Sequence, residues 1–248
     1  MLKTSHRYQD TKDQAWSPNT WKTRFSLNYK GLPYKTQWVE YPHIAGLCKD
    51  IGAPPIGTYP NGSPEYTLPV IYDPNTKTAV SESALIARYL DKTYPDAPTL
   101  IPAATDALHA AFQEAIEMTF IVPLLPIMLP ASNHQLNPVS EEYFRRTREA
   151  RFGKLEEWSP LGPVRDAHWK AIEAGLHKVT KWLSMDGNEK LFFMGETISY
   201  ADITLASFLI WIRKVLGPDS QEWKNVKRWD GGRWGKFMEA FEKYETVV

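Results

Sequence analysis

The chain has 248 residues, with 29 Lys and Arg against 29 Asp and Glu, enough to bury a substantial core in one large or two smaller domains. The charge balance excludes the basic field by which proteins hold nucleic acid. The single cysteine, Cys48, excludes an internal disulfide framework and a multi-cysteine zinc site and suits a reducing compartment. The N-terminus lacks an apolar signal core. The longest apolar stretches, 119–130 with its three prolines and 203–212, are shorter than a bilayer span. A cytoplasmic protein without nucleic-acid, membrane or metal partners is expected. Aromatic residues make up 13% of the chain, ten of them Trp, which fits either a groove for flat apolar ligands or a ring-rich core.

Residues 1–15 are polar, and 3–9 is the material available there for a strand, short or irregular. Trp16-Ser17-Pro18-Asn19-Thr20-Trp21 then leads to Asn28-Tyr29-Lys30-Gly31. Serine at an N-cap, proline at the first helical position and glycine past the end delimit a helix of about three turns starting at Ser17. Residues 34–41 read as a strand, and 42–66, punctuated by Pro and Gly, as an irregular segment with one helical turn near Leu47.

Thr67-Leu68-Pro69-Val70-Ile71 follows. Proline lacks a ladder donor, so Pro69 belongs at a strand start. Val70-Ile71-Tyr72 and Thr78-Ala79-Val80 flank the polar connector 73–77, of the length that joins antiparallel strands. The second strand runs into Ser81-Glu82-Ser83, after which apolar residues recur at 85, 86, 89 and 90 in helical spacing. A helix N-terminus offers N–H groups and positive partial charge to a carboxylate, and the Glu82 carboxylate beside it suits an ammonium, so the pair fits an α-amino acid. Ser81 or Ser83 acting only as a helix cap is the alternative.

The first unit ends near Tyr94-Pro95, and 96–102 reads as a proline-rich linker. Helical patterns follow at 105–125, 140–158, 164–184, 199–215 and 233–244. Within Thr197-Ile198-Ser199-Tyr200-Ala201-Asp202-Ile203, Ser199 and Asp202 have capping-box spacing, and Ile198 and Ile203 are placed as a hydrophobic staple. The expected organisation is an α/β domain over 1–95, the linker 96–102, and an all-α domain over 103–248.

As a set, the strand opening at Leu68-Pro69, the hairpin and the Glu82-Ser83 helix start resemble the glutathione-binding half of the glutathione transferases. The Ser199-Asp202 box, preceded by Phe192-Phe193-Met194-Gly195, matches the start of the core helix in their second domain. The resemblance implies a thioredoxin-like first domain with a cis bond before Pro69. It also implies that the Leu68 backbone pairs with the cysteinyl part of glutathione and that Glu82 and Ser83 hold its γ-glutamyl end. His43, with Lys35 and Lys49 as competitors, lies where such proteins set a cation for the glycyl carboxylate. The strings 15–24, 28–34 and 51–55 are similar to the fungal FuA class, related to bacterial β-etherases, whose members carry a serine where Ser17 stands. That likeness covers nearly the whole chain except 1–14. It implies a homodimer that binds wood-derived aromatic compounds and transfers glutathione, its co-substrate, to small electrophiles.

Such chemistry needs the thiol as thiolate near neutral pH. Lowering a reference pKa of about 8.5 by two units requires roughly 2.7 kcal/mol. A hydrogen bond to a charged group contributes about 1.5–3 kcal/mol and a helix N-terminus about 0.3–1, so one hydroxyl at one helix start suffices. Ser17 is the candidate donor, with an ordinary N-cap as the alternative. Asn19 is a second candidate, because Ser-Pro-Asn-Thr resembles the Thr-Pro-Asn-Gly of the nitrogen-regulator-like branch, and Thr20 is placed to assist. Thiol-reducing relatives carry a cysteine in place of Ser17; here Cys48 lies elsewhere, which favours conjugation over reduction. Phe112, Ile116 and Phe120, four apart on one helix face, are candidates for the apolar substrate wall or for a plain core stripe. The expected activity is glutathione transfer to apolar or aromatic electrophiles, against a non-catalytic polyphenol-binding ligandin or a glutathione-dependent β-aryl-ether cleaving enzyme. No nucleophile elbow, phosphate-binding glycine loop or zinc-protease motif competes.

Overall fold

The computed structural model describes residues 2–6 and 15–248. Along the chain lie β1 (Leu2–His6), α1 (Pro18–Tyr29), β2 (Tyr34–Trp38), α2 (Ile44–Asp50), the two-residue strands β3 (Gly57–Thr58) and β4 (Pro64–Glu65), β5 (Val70–Asp73), β6 (Thr78–Ser81) and α3 (Ser83–Thr93). The helices α4 (Asp106–Ile116), α5 (Val122–Asn133), α6 (Pro138–Phe152), α7 (Pro163–Leu183), α8 (Tyr200–Leu216) and α9 (Gln221–Glu239) follow. The first set is a thioredoxin-like α/β unit and the second is all-α.

The main sheet has the order β2-β1-β5-β6. β1 runs parallel to β2 through the α1 crossover and antiparallel to β5. The weakly patterned N-terminal segment thus supplies the central strand, held by ladders on both sides; residues 7–9 of the expected strand lie outside the described residues. β2 is an edge strand, and the chain's last residues cover it: Thr36 N–H donates to Val248 O at 2.8 Å and the Tyr34 hydroxyl to Thr246 O at 2.9 Å. The Leu68–Pro69 bond is cis and Pro69 directly precedes β5. At the far end of β5 the buried Asp73 carboxylate accepts from the hydroxyls of Tyr89 (2.7 Å) and Tyr94 (2.6 Å) and from Asn75 N–H (2.9 Å), tying the hairpin to α3. Burial would raise the Asp73 pKa, but these donors outweigh it and hold the carboxyl below its usual range.

The two halves meet where α1 packs on α8. Trp21, Phe25 and Leu27 of α1 are fully buried, as are Ile203, Leu205 and Leu209 of α8. The segment 96–102 is a fixed joint: Leu100 and Ile101 are buried, and their N–H groups donate to the Asp91 carboxylate, which also pairs with the buried Lys30 ammonium at 2.9 Å. The Ser199-Asp202 capping box forms, and Asp202 also accepts from Phe193 N–H at 2.9 Å. Burial raises the Asp202 pKa to about 6 against these hydrogen bonds.

Three expectations need correction. The apolar stretch read as too short for a bilayer belongs to a helical run of 28 residues, Asp106–Asn133, long and apolar enough to cross one. A π-helical turn at Glu117–Ile121 lets α4 continue into α5 although Pro123 follows. Ile116, Phe120, Leu124, Ile127 and Met128 are buried along one side of it against α7 and α8. Gly175 of α7 matters here: a Cβ would lie 2.2 Å from Thr119 O, so only glycine lets the two helices touch. Second, α6 stops at Phe152, where Gly153 has φ 80, and a separate 3-10 turn spans Leu155–Glu157. Third, α9 holds a helical segment that was not expected, 221–228; a break at 229–232, with positive φ at Asp230, Gly231 and Gly232, separates it from the expected last segment, which starts near 233. The Asp230 carboxylate stabilises that break by accepting from His177 Nδ1, Thr180 Oγ1 and Trp234 Nε1.

Asp91→Ala strands the Lys30 ammonium in the core and frees two buried N–H groups. It is expected to lower unfolding free energy by about 3 kcal/mol, measured by urea denaturation; a loss below about 1 kcal/mol would show that the joint does not depend on this carboxylate. Lys22, half-buried on α1 with its ammonium 5.2 Å from the Phe208 ring centre, has a pKa lowered to about 8 by burial, only partly offset by Glu82 and Glu117. A folded-state pKa below the ordinary lysine value of 10.5 means that the charged form penalises folding at neutral pH and that the penalty fades as pH rises from about 8 toward 10.5. Lys22→Met is expected to raise Tm at pH 7, with the gain shrinking across that window; a gain that grows with pH would reverse the sign.

Candidate active site

A cleft of about 840 Å³ opens between the N-terminus of α1, the α1-facing side of β2, the cis-proline segment and the cleft face of α6. Trp16, Ser17, Asn19 and Thr20 line its α1 end. Pro18 at the first helical position fixes the helix start. Ser17 occupies the N-cap with extended φ and ψ of −64° and 124°, yet its side chain makes no capping bond. Its carbonyl takes the local donors instead, accepting from Trp21 N–H and the Thr20 hydroxyl, each at 3.0 Å. The Ser17 hydroxyl is therefore half-buried, on the cleft, at the positive end of a helix dipole and uncommitted to the helix.

Leu68 and Pro69 line the same cleft. Among the described residues the Leu68 backbone makes no hydrogen bond to protein, so its N–H and C=O offer an extended ligand a strand-like partner. Glu82 and Ser83 are not among the residues lining the cleft. Glu82, at φ 75, folds its carboxylate back over α3, accepting from Ala84 N–H at 3.0 Å, Leu85 N–H at 3.1 Å and the Ser83 hydroxyl at 3.1 Å. This corrects the expectation that the N–H groups of α3 stand open to a ligand carboxylate, and it makes Glu82, not Ser81 or Ser83, the cap. The Ser81 hydroxyl donates to Pro54 O. His43 is exposed at the end of a 3-10 turn and does not line the cleft, and neither does Lys35 or Lys49. Cys48 is buried, and burial pushes its thiol pKa up, so it is no redox centre for this site.

Phe112, Ile116 and Phe120 lie outside the cleft, which corrects their assignment to its apolar wall. Ile116 and Phe120 are fully buried in the core, and Phe112 packs edge-on against Phe193 at 4.4 Å. The α4–α5 run that carries them turns this stripe toward α7 and α8. The apolar wall comes instead from Trp16, Trp38, Tyr66, Leu129, Tyr143 and Phe152. Tyr143, Arg146, Thr147 and Ala150 share the cleft face of α6 at three- and four-residue spacing. That spacing was visible in the sequence, but a second helix facing away from the core gives no local sign of what it faces.

The cleft is cationic. Arg24 is buried, donates to the Tyr34 hydroxyl and Thr36 Oγ1 at 3.1 Å each, and leaves its Nε without a partner among the described residues. Arg146, Arg148 and Arg151 line the opposite side. Of the two carboxylates there, Glu40 accepts from Asn137 Nδ2 at 2.6 Å and from the Ser140 hydroxyl, and Glu65 sits in β4. Burial raises the Tyr41 hydroxyl pKa against the pull of Arg148; it also raises that of Tyr59, with Glu65 and Tyr143 adding to it and Arg148 and Arg151 opposing.

The chain that builds this cleft is similar to known proteins over its length. The model for the glutathione S-transferase N-terminal domain matches residues 16–93, and that for the C-terminal domain residues 107–244. A glutathione S-transferase of Ceriporiopsis subvermispora, crystallised in complex with glutathione, superposes with a TM-score of 0.95 at 57% identity over 100% of this chain and 98% of that one. Glutathione transferase GSTFuA3 of Phanerochaete chrysosporium gives 0.93 at 43% identity over 100% and 98%. The glutathione S-transferase-like protein ustS of Aspergillus flavus is 33% identical over 92% of this chain and 84% of its own length. With both halves matched by the family's two domains, and a relative a third identical over 92% of this chain, the chain belongs to the glutathione S-transferase family.

Proposed function

We propose that this protein is a serine-type glutathione transferase acting on small apolar or aromatic electrophiles. Glutathione lies along the cis-proline segment, its cysteinyl backbone on Leu68, its ammonium toward Glu82 and its sulfur at Ser17. The observation that carries this reading is the Ser17 hydroxyl, at the N-cap and on the cleft but unused by the helix. It donates to the sulfur, so the thiolate is stabilised by a charge-assisted bond and by the α1 dipole. The thiolate then forms the C–S bond with the electrophile, whose leaving group departs or whose double bond takes the electron pair. Asn19 and Thr20 line the same end of the cleft as Ser17. The ring-lined wall favours a second capacity, the binding of wood-derived polyphenols as in a ligandin.

Ser17→Ala is expected to raise the pKa of the bound thiol by about one to two units while barely changing glutathione affinity. Turnover of a chromogenic electrophile near pH 7 then falls roughly ten- to a hundredfold and partly recovers at higher pH as the thiol ionises unaided. An unaltered pH–rate profile would place the donor elsewhere, with Asn19→Ala the next variant; a wild type without turnover that still binds aromatic ligands would leave the ligandin reading.

A homodimer accompanies this proposal. Leu85 of α3 and Leu108 and Met118 of the α4–α5 run are 54%, 69% and 70% exposed, a supply of apolar surface suited to a second copy. Light scattering is expected to give twice the 28.4 kDa chain mass, and Leu108→Glu to shift it toward the monomer; a wild-type monomer at micromolar concentration would overturn the dimer.

A further inference from the structure

The four arginines of α6 divide sharply. Arg145 donates to Glu149 at 2.9 Å and to Glu156 at 2.7 Å, so its charge is matched twice. Arg146, Arg148 and Arg151 line the cleft, and none of them pairs with a carboxylate among the described residues. Rings hold them instead. The Arg148 guanidinium lies 4.2 Å from the centre of the buried Phe144 ring and 5.6 Å from that of Tyr41, while Arg146 lies over Tyr143 at 5.5 Å and Arg151 over Phe152 at 5.3 Å. Arg148 has one further tie, donating to Thr147 Oγ1 at 2.8 Å.

A guanidinium seated on aromatic faces is fixed in place, yet its in-plane N–H fork stays available for a carboxylate. Tyr41, stacked on Tyr143 at 6.4 Å and edge-on to Phe144 at 5.5 Å, fixes the platform, and Ser140 Oγ accepts from Tyr41 N–H at 2.9 Å. Of the two carboxylates that line the cleft, Glu40 is engaged by Asn137 and Ser140, and Glu65 lies on β4. The wall thus joins flat apolar surface to positive charge that is pre-positioned and, among the described residues, not ion-paired, with Arg148 the best-held member.

We propose that this wall is a subsite for the anionic group of an aromatic ligand, with Arg148 as its specificity-determining residue, so that the cleft takes aryl carboxylates in preference to their neutral counterparts. The proposal deepens the assignment of the cleft as the electrophile side, and it concerns binding alone, so it is tested without glutathione turnover.

Calorimetric titration of the full chain at low salt with trans-cinnamate and with trans-cinnamamide, which share shape and differ in charge, gives the preference directly. Cinnamate is expected to bind at least about tenfold more tightly, a ratio that falls toward one at about 0.5 M salt. Arg148→Gln is expected to lower cinnamate affinity about tenfold or more and cinnamamide affinity clearly less; Arg148→Lys, keeping the charge without the planar fork, falls between. Equal affinity of the wild type for the two probes overturns the proposal, as does a preference that survives Arg148→Gln. A drop in glutathione affinity as large as the drop for cinnamate also overturns it, because the arginine would then serve a carboxylate of glutathione itself. The salt series on the wild type decides the matter if the Gln variant does not fold: a preference unchanged at high salt is incompatible with a charge-selective wall.

Discussion

The buried pair of Lys30 and Asp91 is the joint on which this molecule depends. Lys30 ends α1, Asp91 sits on α3, and the second oxygen of the same carboxylate holds the N–H of Ile101 at the entrance to the helical half. A buried ammonium is tolerable only with its partner in place, so the linker, α1 and α3 have one arrangement available. The packing of α1 on α8 then follows, and with it the position of Ser17 at the opposite end of α1. A site formed by residues of both halves needs such a joint, since the cleft exists only while α6 faces the cis-proline segment.

Around that joint the α/β unit spends its polar groups on fixing loops. Asp73 binds Tyr89 of α3, Tyr94 just past its end and its own turn, and Glu82 turns its carboxylate onto the start of α3. At Ser17 the pattern is reversed: the backbone carbonyl satisfies the helix start and the hydroxyl is left over. A side chain exempted from capping at a helix N-terminus thus stands in the same cleft as the Leu68 backbone, which makes no hydrogen bond to protein among the described residues.

The far wall of the cleft has a different logic. Where the Ser17 side is built from backbone and hydroxyl, α6 presents rings and guanidinium groups; none of its carboxylates lines the cleft, and Glu149 pairs with Arg145.

Much was legible in the sequence because it is local. Ser17-Pro18 marks a helix start, Pro69 a strand start, 73–77 a turn and Ser199-Asp202 a capping box through interactions within a few residues, and each lies where those short-range rules put it. The resemblance carried by these motifs added the cis bond, which no local rule announces. What faces what was decided only by tertiary structure. Leu2–His6 became the central strand through pairing on both edges, against a weak local pattern. Phe112, Ile116 and Phe120 were spaced for one face, but the choice between core and cleft fell to α7 and α8, which cover that face. The α1 start and α6, more than a hundred residues apart, share one cleft only because a buried ion pair and the α1–α8 contact hold the halves together. Periodicity shows that a helix has an apolar face, and the partner that covers that face is set by the packing of the whole chain.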